Sequence, residues 1–273
     1  MKKTIGMTAI ALLIGSVFPA TVKAATLNGS FENGFNGWET IGGYRIETSG
    51  FGIEPVAGSS QAFLSTAFQE VVGLDSNFKP IIGGNAVPVD FISGFPSLEE
   101  FLGLSTFLGD NSLNSIATAR PIEGSAIQQT FTASAGNTLS FSWNFLTNES
   151  VDQAAREDFT YPNFNDFAFV SIQSDSFSQL FSLADTVSTF INSSTRYSNE
   201  TGYRQFSYTI PTTGTYTLGI GVVDVGEPTR TSGLLVDKVE AVPEPGSALV
   251  LLVGGALGTI SMRMRSRKNK EMA

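Results

Sequence analysis

The amino-acid sequence predicts an all-β fold, an antiparallel β-sandwich, set between two ends of different character. Three observations carry this. Apolar and polar residues alternate over several short runs; Gly, Ser, Thr and Asn separate those runs; and only one stretch carries a clear helix start.

Taken in order, the chain opens with Lys2 and Lys3, a mostly apolar run from Thr4 to Val17, and Val22-Lys23-Ala24, the pattern of a signal peptide spanning residues 1–24 and cleaved before Ala25. The apolar run falls short of the ~20 residues of a membrane span. Residues 25–241 follow as the ectodomain. Strands are expected at Gln61–Ser65, Ala126–Ala133, Gln179–Ala184 and Gly233–Ala241. The alternation is cleanest at Leu139, Phe141, Trp143 and Phe145, which share one face of a strand. It recurs at Phe206, Tyr208 and Ile210, and at Tyr216, Leu218, Ile220 and Val222. Asn165 to Ile172 is apolar on both faces, which suits a central strand. Between Gly73 and Gly124 the rhythm breaks at Pro80, Pro88, Pro96 and Pro121. There Ser97-Leu98-Glu99-Glu100 forms a capping box ahead of Phe101, Leu102 and Leu104, predicting an inserted helix at about 97–108.

Composition excludes whole classes of chemistry. The chain has no cysteine and no histidine. Disulfide frameworks, thiol nucleophiles, Ser-His-Asp triads and the usual transition-metal ligands are therefore ruled out. Residues 25–242 hold 8 basic against 23 acidic side chains, a net charge of −15. Such a domain repels nucleic acid and anionic lipid, attracts divalent cations, and stays soluble outside the cell.

The last segment, 242–273, has three parts. In Pro243-Glu244-Pro245, Pro245 keeps Glu244 out of the helical region. Ser247 to Met262 is uncharged and about 24 Å long as a helix, slightly short of the ~30 Å hydrocarbon core. Arg263, Arg265, Arg267 and Lys268 then mark a cytoplasmic flank. These three parts in this order resemble the PEP-CTERM sorting signal of bacterial surface proteins. The resemblance implies an exosortase as partner, a membrane cysteine transpeptidase cutting near Pro-Glu-Pro. It also implies a transmembrane helix at 247–262 that anchors the chain first, and release to the cell surface or extracellular matrix.

Two further stretches carry resemblances. Leu27 to Gly42 (LNGSFENGFNGWETIG) and Gly233 to Val242 (GLLVDKVEAV) look like the first and last strands of galactose-binding-like jelly rolls, the fold of many carbohydrate-binding modules. This implies neighbouring chain ends around a structural calcium ion, with Glu32 and Asp237 as ligands; alternatively Glu32 pairs with Lys238 or water, and Phe31 and Trp38 are core. Leu139 to Ile172 is similar to a strand–loop–strand unit of anchored adhesion domains. It suggests a second polar loop site at Asn148, Glu149, Asn165 and Asp166, for a cation or a glycan, although Asn-Asp at a strand start also serves as a turn cap.

These readings predict a non-enzymatic surface protein that binds or embeds in exopolysaccharide. The alternatives are a purely structural matrix protein and a glycosidase working with carboxylates alone. Tyr44, Phe51, Phe159, Tyr161, Phe164, Tyr197 and Tyr203 lie in polar, turn-like stretches and are the candidate sugar-stacking rings. An exposed aromatic patch separates the first reading from the second.

Overall fold

The computed structural model describes residues 27–67, 71–74, 80–82, 85–90, 94, 96–104, 120–149, 164–226 and 230–243. The expected signal peptide, the apolar stretch 247–262 and its basic flank lie outside these residues, as do Phe159 and Tyr161.

In chain order the strands begin with β1 (Glu39–Ile41), β2 (Gly43–Glu47), β3 (Gln61–Ser65), β4 (Val71–Leu74), β5 (Pro80–Ile82) and β6 (Val87–Pro88). After the helix α1 (Leu98–Leu102) come β7 (Pro121–Ala133), β8 (Thr138–Thr147), β9 (Phe167–Ser174) and β10 (Phe177–Asp185). The last are β11 (Ile191–Asn192), β12 (Asn199–Glu200), β13 (Arg204–Thr209), β14 (Gly214–Val225) and β15 (Ser232–Val242).

All pairings are antiparallel. One sheet of six strands runs β1-β7-β14-β9-β10, with β6 also on β7; the other, of seven, runs β11-β12-β8-β15-β3-β2, with β13 also on β8. β4 and β5 pair with each other as a two-stranded sheet. Between the two large sheets lies the main core. Leu139, Phe141, Trp143 and Phe145 of β8 meet Tyr216, Leu218, Ile220 and Val222 of β14 there, as their alternation predicts. Phe31 and Trp38 join this core, their rings 5.5 Å apart.

Both sheets are also apolar on parts of their outer faces, and both are covered there. On the six-stranded sheet, Leu98, Leu102 and Leu104 pack against Ala126, Phe167, Phe169 and Val223. On the seven-stranded sheet, Phe51, Ile53, Tyr197 and Tyr203 close over Phe63, Leu146 and Leu235.

Two expectations are corrected. The helix spans only Leu98–Leu102: Ser97 caps its start by accepting from the Glu100 N–H, and Gly103, in the left-handed region (φ 64°), turns the chain away five residues before 108. The stretch from Leu27 is not a strand until Glu39. It is a run of turns compacted around Phe31, which takes φ 54° while its ring is buried.

Candidate functional site

Glu32 and Asp237 both hold the loop between Val56 and Ser60. Glu32 stands in the opening turns. Its Oε1 accepts from the Ser59 and Ser60 N–H groups (2.7 and 2.8 Å), and its Oε2 from the Ser59 hydroxyl (2.8 Å). Asp237 sits on β15, where a register shift before Glu240 and a left-handed Lys238 (φ 53°) interrupt the ladder. Its Oδ2 accepts from the Val56 and Ala57 N–H groups (2.6 and 2.8 Å), and its Oδ1 from the Lys238 N–H (2.6 Å). Gly58 is required between these contacts: its φ is 71°, and a Cβ there would run into the Glu32 carboxylate.

The two acids differ in their surroundings. Glu32 is exposed, and the Ser59 and Ser60 donors hold its carboxyl below the usual range. Asp237 is fully buried. Burial pushes its carboxyl up, the three N–H groups pull it down, and the nearby charge of Glu32 pushes it up again.

The calcium ion that the resemblance implies would have to sit between these two carboxylates. A calcium site needs 6–8 oxygens converging on one point. Here both carboxylates are turned onto N–H and O–H donors of one loop. Among the described residues, no group of three or more Asp, Glu, His or Cys side chains stands close enough to hold a metal. Glu32 Oε1 and Asp237 Oδ2 each already accept from two backbone N–H groups, so in this geometry they are engaged without an ion. Backbone N–H groups supply the positive partner instead.

Above this clasp lies the covered outer face of the seven-stranded sheet. The Arg45 guanidinium stands 4.1 Å above the Phe63 ring and pairs with Glu47. The Arg196 guanidinium lies 5.5 Å from the Tyr197 ring; burial, more than the neighbouring Arg45 charge, lowers its proton affinity. Tyr203 reaches across to donate to Gln61 Oε1, and Gln61 Nε2 donates to the Ile53 carbonyl (2.8 Å). Tyr197 is 3% exposed, while Phe51, Phe164 and Tyr203 are half-buried. Tyr44 is open at 38%, its ring meeting Phe35 edge-on. Among the described residues the candidate rings thus form no exposed platform.

The four residues of the second polar site part company. Asn148 turns outward and accepts from the Ser198 N–H (2.9 Å). Asn165 is buried and accepts from the Thr186 N–H (3.0 Å). Asp166, also buried, accepts from the Val225 N–H (2.9 Å) and the Ser232 hydroxyl (2.6 Å). The Ser232 oxygen in turn bonds the Thr147 hydroxyl (2.9 Å), whose oxygen receives the Glu149 N–H. Asp166 and Asn165 also share the Thr186 N–H, and the bonds through Ser232 and Thr147 tie β9 to β8 and β15 inside the fold. Glu149, Asn165 and Asp166 are buried, and Asn148 is half-buried.

Sequence reading missed Glu123. It stands directly opposite Asp224 on β14, and its Oε1 is buried without a hydrogen-bond partner among the described residues. Burial pushes its carboxyl up to about 7. The alternating pattern around Ile127 places residue 123 on the inward side of β7; that signal was available in the sequence.

The sorting segment begins where β15 ends. Val242 still pairs with Thr138, and Pro243 is exposed; Glu244, Pro245, Arg263, Arg265, Arg267 and Lys268 lie outside the described residues. Among the described residues no helix is long and apolar enough to cross a membrane.

Comparison with known proteins places a PEP-CTERM protein-sorting motif at residues 241–268. The motif marks the chain for export and sorting to the cell surface. None of the curated proteins compared with the chain matches it. Solved structures similar to it are β-sandwich domains. TmCBM61 in complex with beta-1,4-galactotriose shares 8% identity over 81% of this chain and 99% of its own, with a TM-score of 0.40. A carbohydrate-binding module of the beta-sandwich superfamily shares 10% over 81% of this chain and 63% of its own, with a TM-score of 0.36. The K1 cleaved adhesin domain of Lys-gingipain from Porphyromonas gingivalis W83 shares 13% over 79% and 96%, with a TM-score of 0.35. At these values, the two-sheet architecture rests on its own strand order and register.

Proposed function

We propose that an exosortase processes this exported protein near Pro243-Glu244-Pro245, and that the acidic sandwich so delivered embeds in exopolysaccharide. The observation that carries the reading is the sorting motif, which starts at the last residues of β15. Before processing, Ser247–Met262 holds the chain in the membrane with Arg263, Arg265, Arg267 and Lys268 on the cytoplasmic side. Polysaccharide contact would come from hydrogen bonding rather than ring stacking. Thr130, Thr132 and Thr215 are exposed on the outer face of the six-stranded sheet, beside Thr217 and Gln173, and supply hydroxyl and amide groups. The sandwich is read as non-catalytic: the carboxylates of its clasp are turned onto loop donors.

A second reading, a structural matrix protein without a specific glycan, is favoured by the packing of Phe51, Tyr197 and Tyr203. Co-sedimentation of the processed protein with the producing cell's exopolysaccharide separates the two. The first reading expects binding that Thr130→Arg and Thr215→Arg weaken severalfold; absence of binding leaves the structural role. For the sorting reading, Pro243→Ala with Pro245→Ala should leave the protein in the membrane fraction, and normal release of that variant would refute it.

A further inference from the structure

The end of the sandwich from which the sorting segment leaves is a single built surface. The turn after β7 and the segment after β13 are bonded to each other there. The Gly136 N–H donates to the Ile210 carbonyl (2.9 Å), the Ile210 N–H to the Asn137 carbonyl (2.8 Å), and the Ala135 N–H to the Thr213 hydroxyl (3.0 Å). Thr138, at the start of β8, pairs with Val242 on one side and Thr209 on the other. β15 pairs with β3 only over Gly233–Val236, and from Glu240 to Val242 it pairs with β8, so the chain leaves alongside the start of β8.

Two observations give this pole a direction. The first is reach. From Val242 to Ser247, where the uncharged stretch begins, there are five Cα-to-Cα steps, which span at most about 18 Å fully extended. The second is charge. Residues 25–242 carry a net charge of −15, yet no charged residue occurs from Ala133 to Thr138 or from Gln205 to Tyr216, the turn and the segment that build this pole. Asp175, in the turn between β9 and β10, and Glu240 on β15 stand at its margins. An acidic body held this close to anionic headgroups is repelled wherever it presents carboxylates. An uncharged pole lets it sit there.

We propose that this pole, centred on Ala135–Asn137 and Pro211–Thr213, faces the lipid surface before processing, and that the end bearing Asn148, Ile191 and Thr231 points away. The inference rests on the membrane-anchored reading of Ser247–Met262 given above. Along β8, Leu146 lies about 27 Å from Thr138, so the two poles are well separated.

The test uses the full, uncleaved chain in nanodiscs containing anionic lipid and a headgroup-borne quencher. The chain has no cysteine, so single-site labels follow from Ala135→Cys, Thr212→Cys and Ile191→Cys, the last 59% exposed near the far pole. Labels at 135 and 212 should be quenched at least threefold more than the label at 191. A twelve-residue Gly-Ser insertion after Val242 should abolish the difference. Equal quenching in a chain that has entered the discs overturns the pole assignment. If Ala135→Glu then blocks cleavage, the surface belongs to the processing enzyme instead. A difference that survives the insertion overturns the tether argument. Absence of the chain from the disc fraction refutes the anchoring on which the proposal depends, and is read separately from quenching.

Discussion

The two outer faces of the sandwich pose one problem and answer it in opposite ways. Each sheet has apolar residues pointing away from the main core: Phe63, Leu146 and Leu235 on one, Ala126, Phe167, Phe169 and Val223 on the other. The six-stranded sheet is covered by a helix, and helices end in unpaired carbonyls. Amide donors fasten it: Gln128 Nε2 donates to the Phe101 carbonyl (3.0 Å) and Gln173 Nε2 to the Leu102 carbonyl (2.6 Å). The seven-stranded sheet is covered by irregular loops, whose N–H groups need acceptors. Carboxylates fasten those: Glu32 and Asp237 take four N–H groups of one loop. The chemistry of each fastening follows from which backbone group the cover leaves unpaired.

The largest expected effect breaks the loop cover at its centre. Phe63 is fully buried beneath Phe51, Tyr197 and Arg45. Phe63→Ala should cost about 3–5 kcal/mol in chemical denaturation. It should speed amide exchange at residues 50–57 well before exchange in α1. Equal acceleration in both covers would mean they are not independent.

Next comes the fastening. Asp237→Asn sets an amide NH2 against donors that now meet a carboxylate, and should cost about 2–3 kcal/mol. The amides of Val56 and Ala57 should lose protection first. Leu102→Ala, the matching break on the helix side, should leave those two amides protected.

A smaller effect comes from Glu123, which belongs to neither fastening. Its folded-state carboxyl lies near 7 against 4.5 in the unfolded chain, so the folded state holds its proton more tightly. The stability this gives is complete below about 4.5 and is lost as pH rises through about 7. Glu123 is only half-buried, so after discounting for solvent the loss is about 1–2 kcal/mol. Glu123→Gln should flatten the melting temperature between pH 5 and 7.5 while the wild type declines. Glu32 works in the opposite direction: its depressed carboxyl favours the fold above the unfolded value, and that gain disappears on acidification.

The smallest expected effect is none. With N–H groups in place of a cation, chelator should leave the melting temperature unchanged, whereas an occupied calcium site would raise it. A rise on adding calcium would show that the clasp rearranges around the ion.

The strands were legible because their periodicity is local: β8, β13 and β14 each bury the residues that alternation selects. α1 was legible at its start, where Ser97 supplies a cap within four residues, and misjudged at its end, where Gly103 turns the chain despite the apolar Leu104 beyond it. Tyr197 and Tyr203 looked exposed because their neighbours are polar. Their burial is decided by Phe63, Gln61 and Leu235, which lie more than 100 residues away or on another strand, and no window of sequence contains that. Glu32 and Asp237 were legible as a pair at the two chain ends. Their shared partner, the loop at Val56–Ser60, was not, since nothing in those residues announces free N–H groups.

The central claim is that this is an acidic sandwich delivered by its sorting segment. Intact mass measurement of the surface-exposed protein tests that claim most directly. The surface protein should start at Ala25 and end near Pro243-Glu244-Pro245, with β15 complete through Val242. A surface protein intact through Lys270, in cells with an active exosortase, would contradict it.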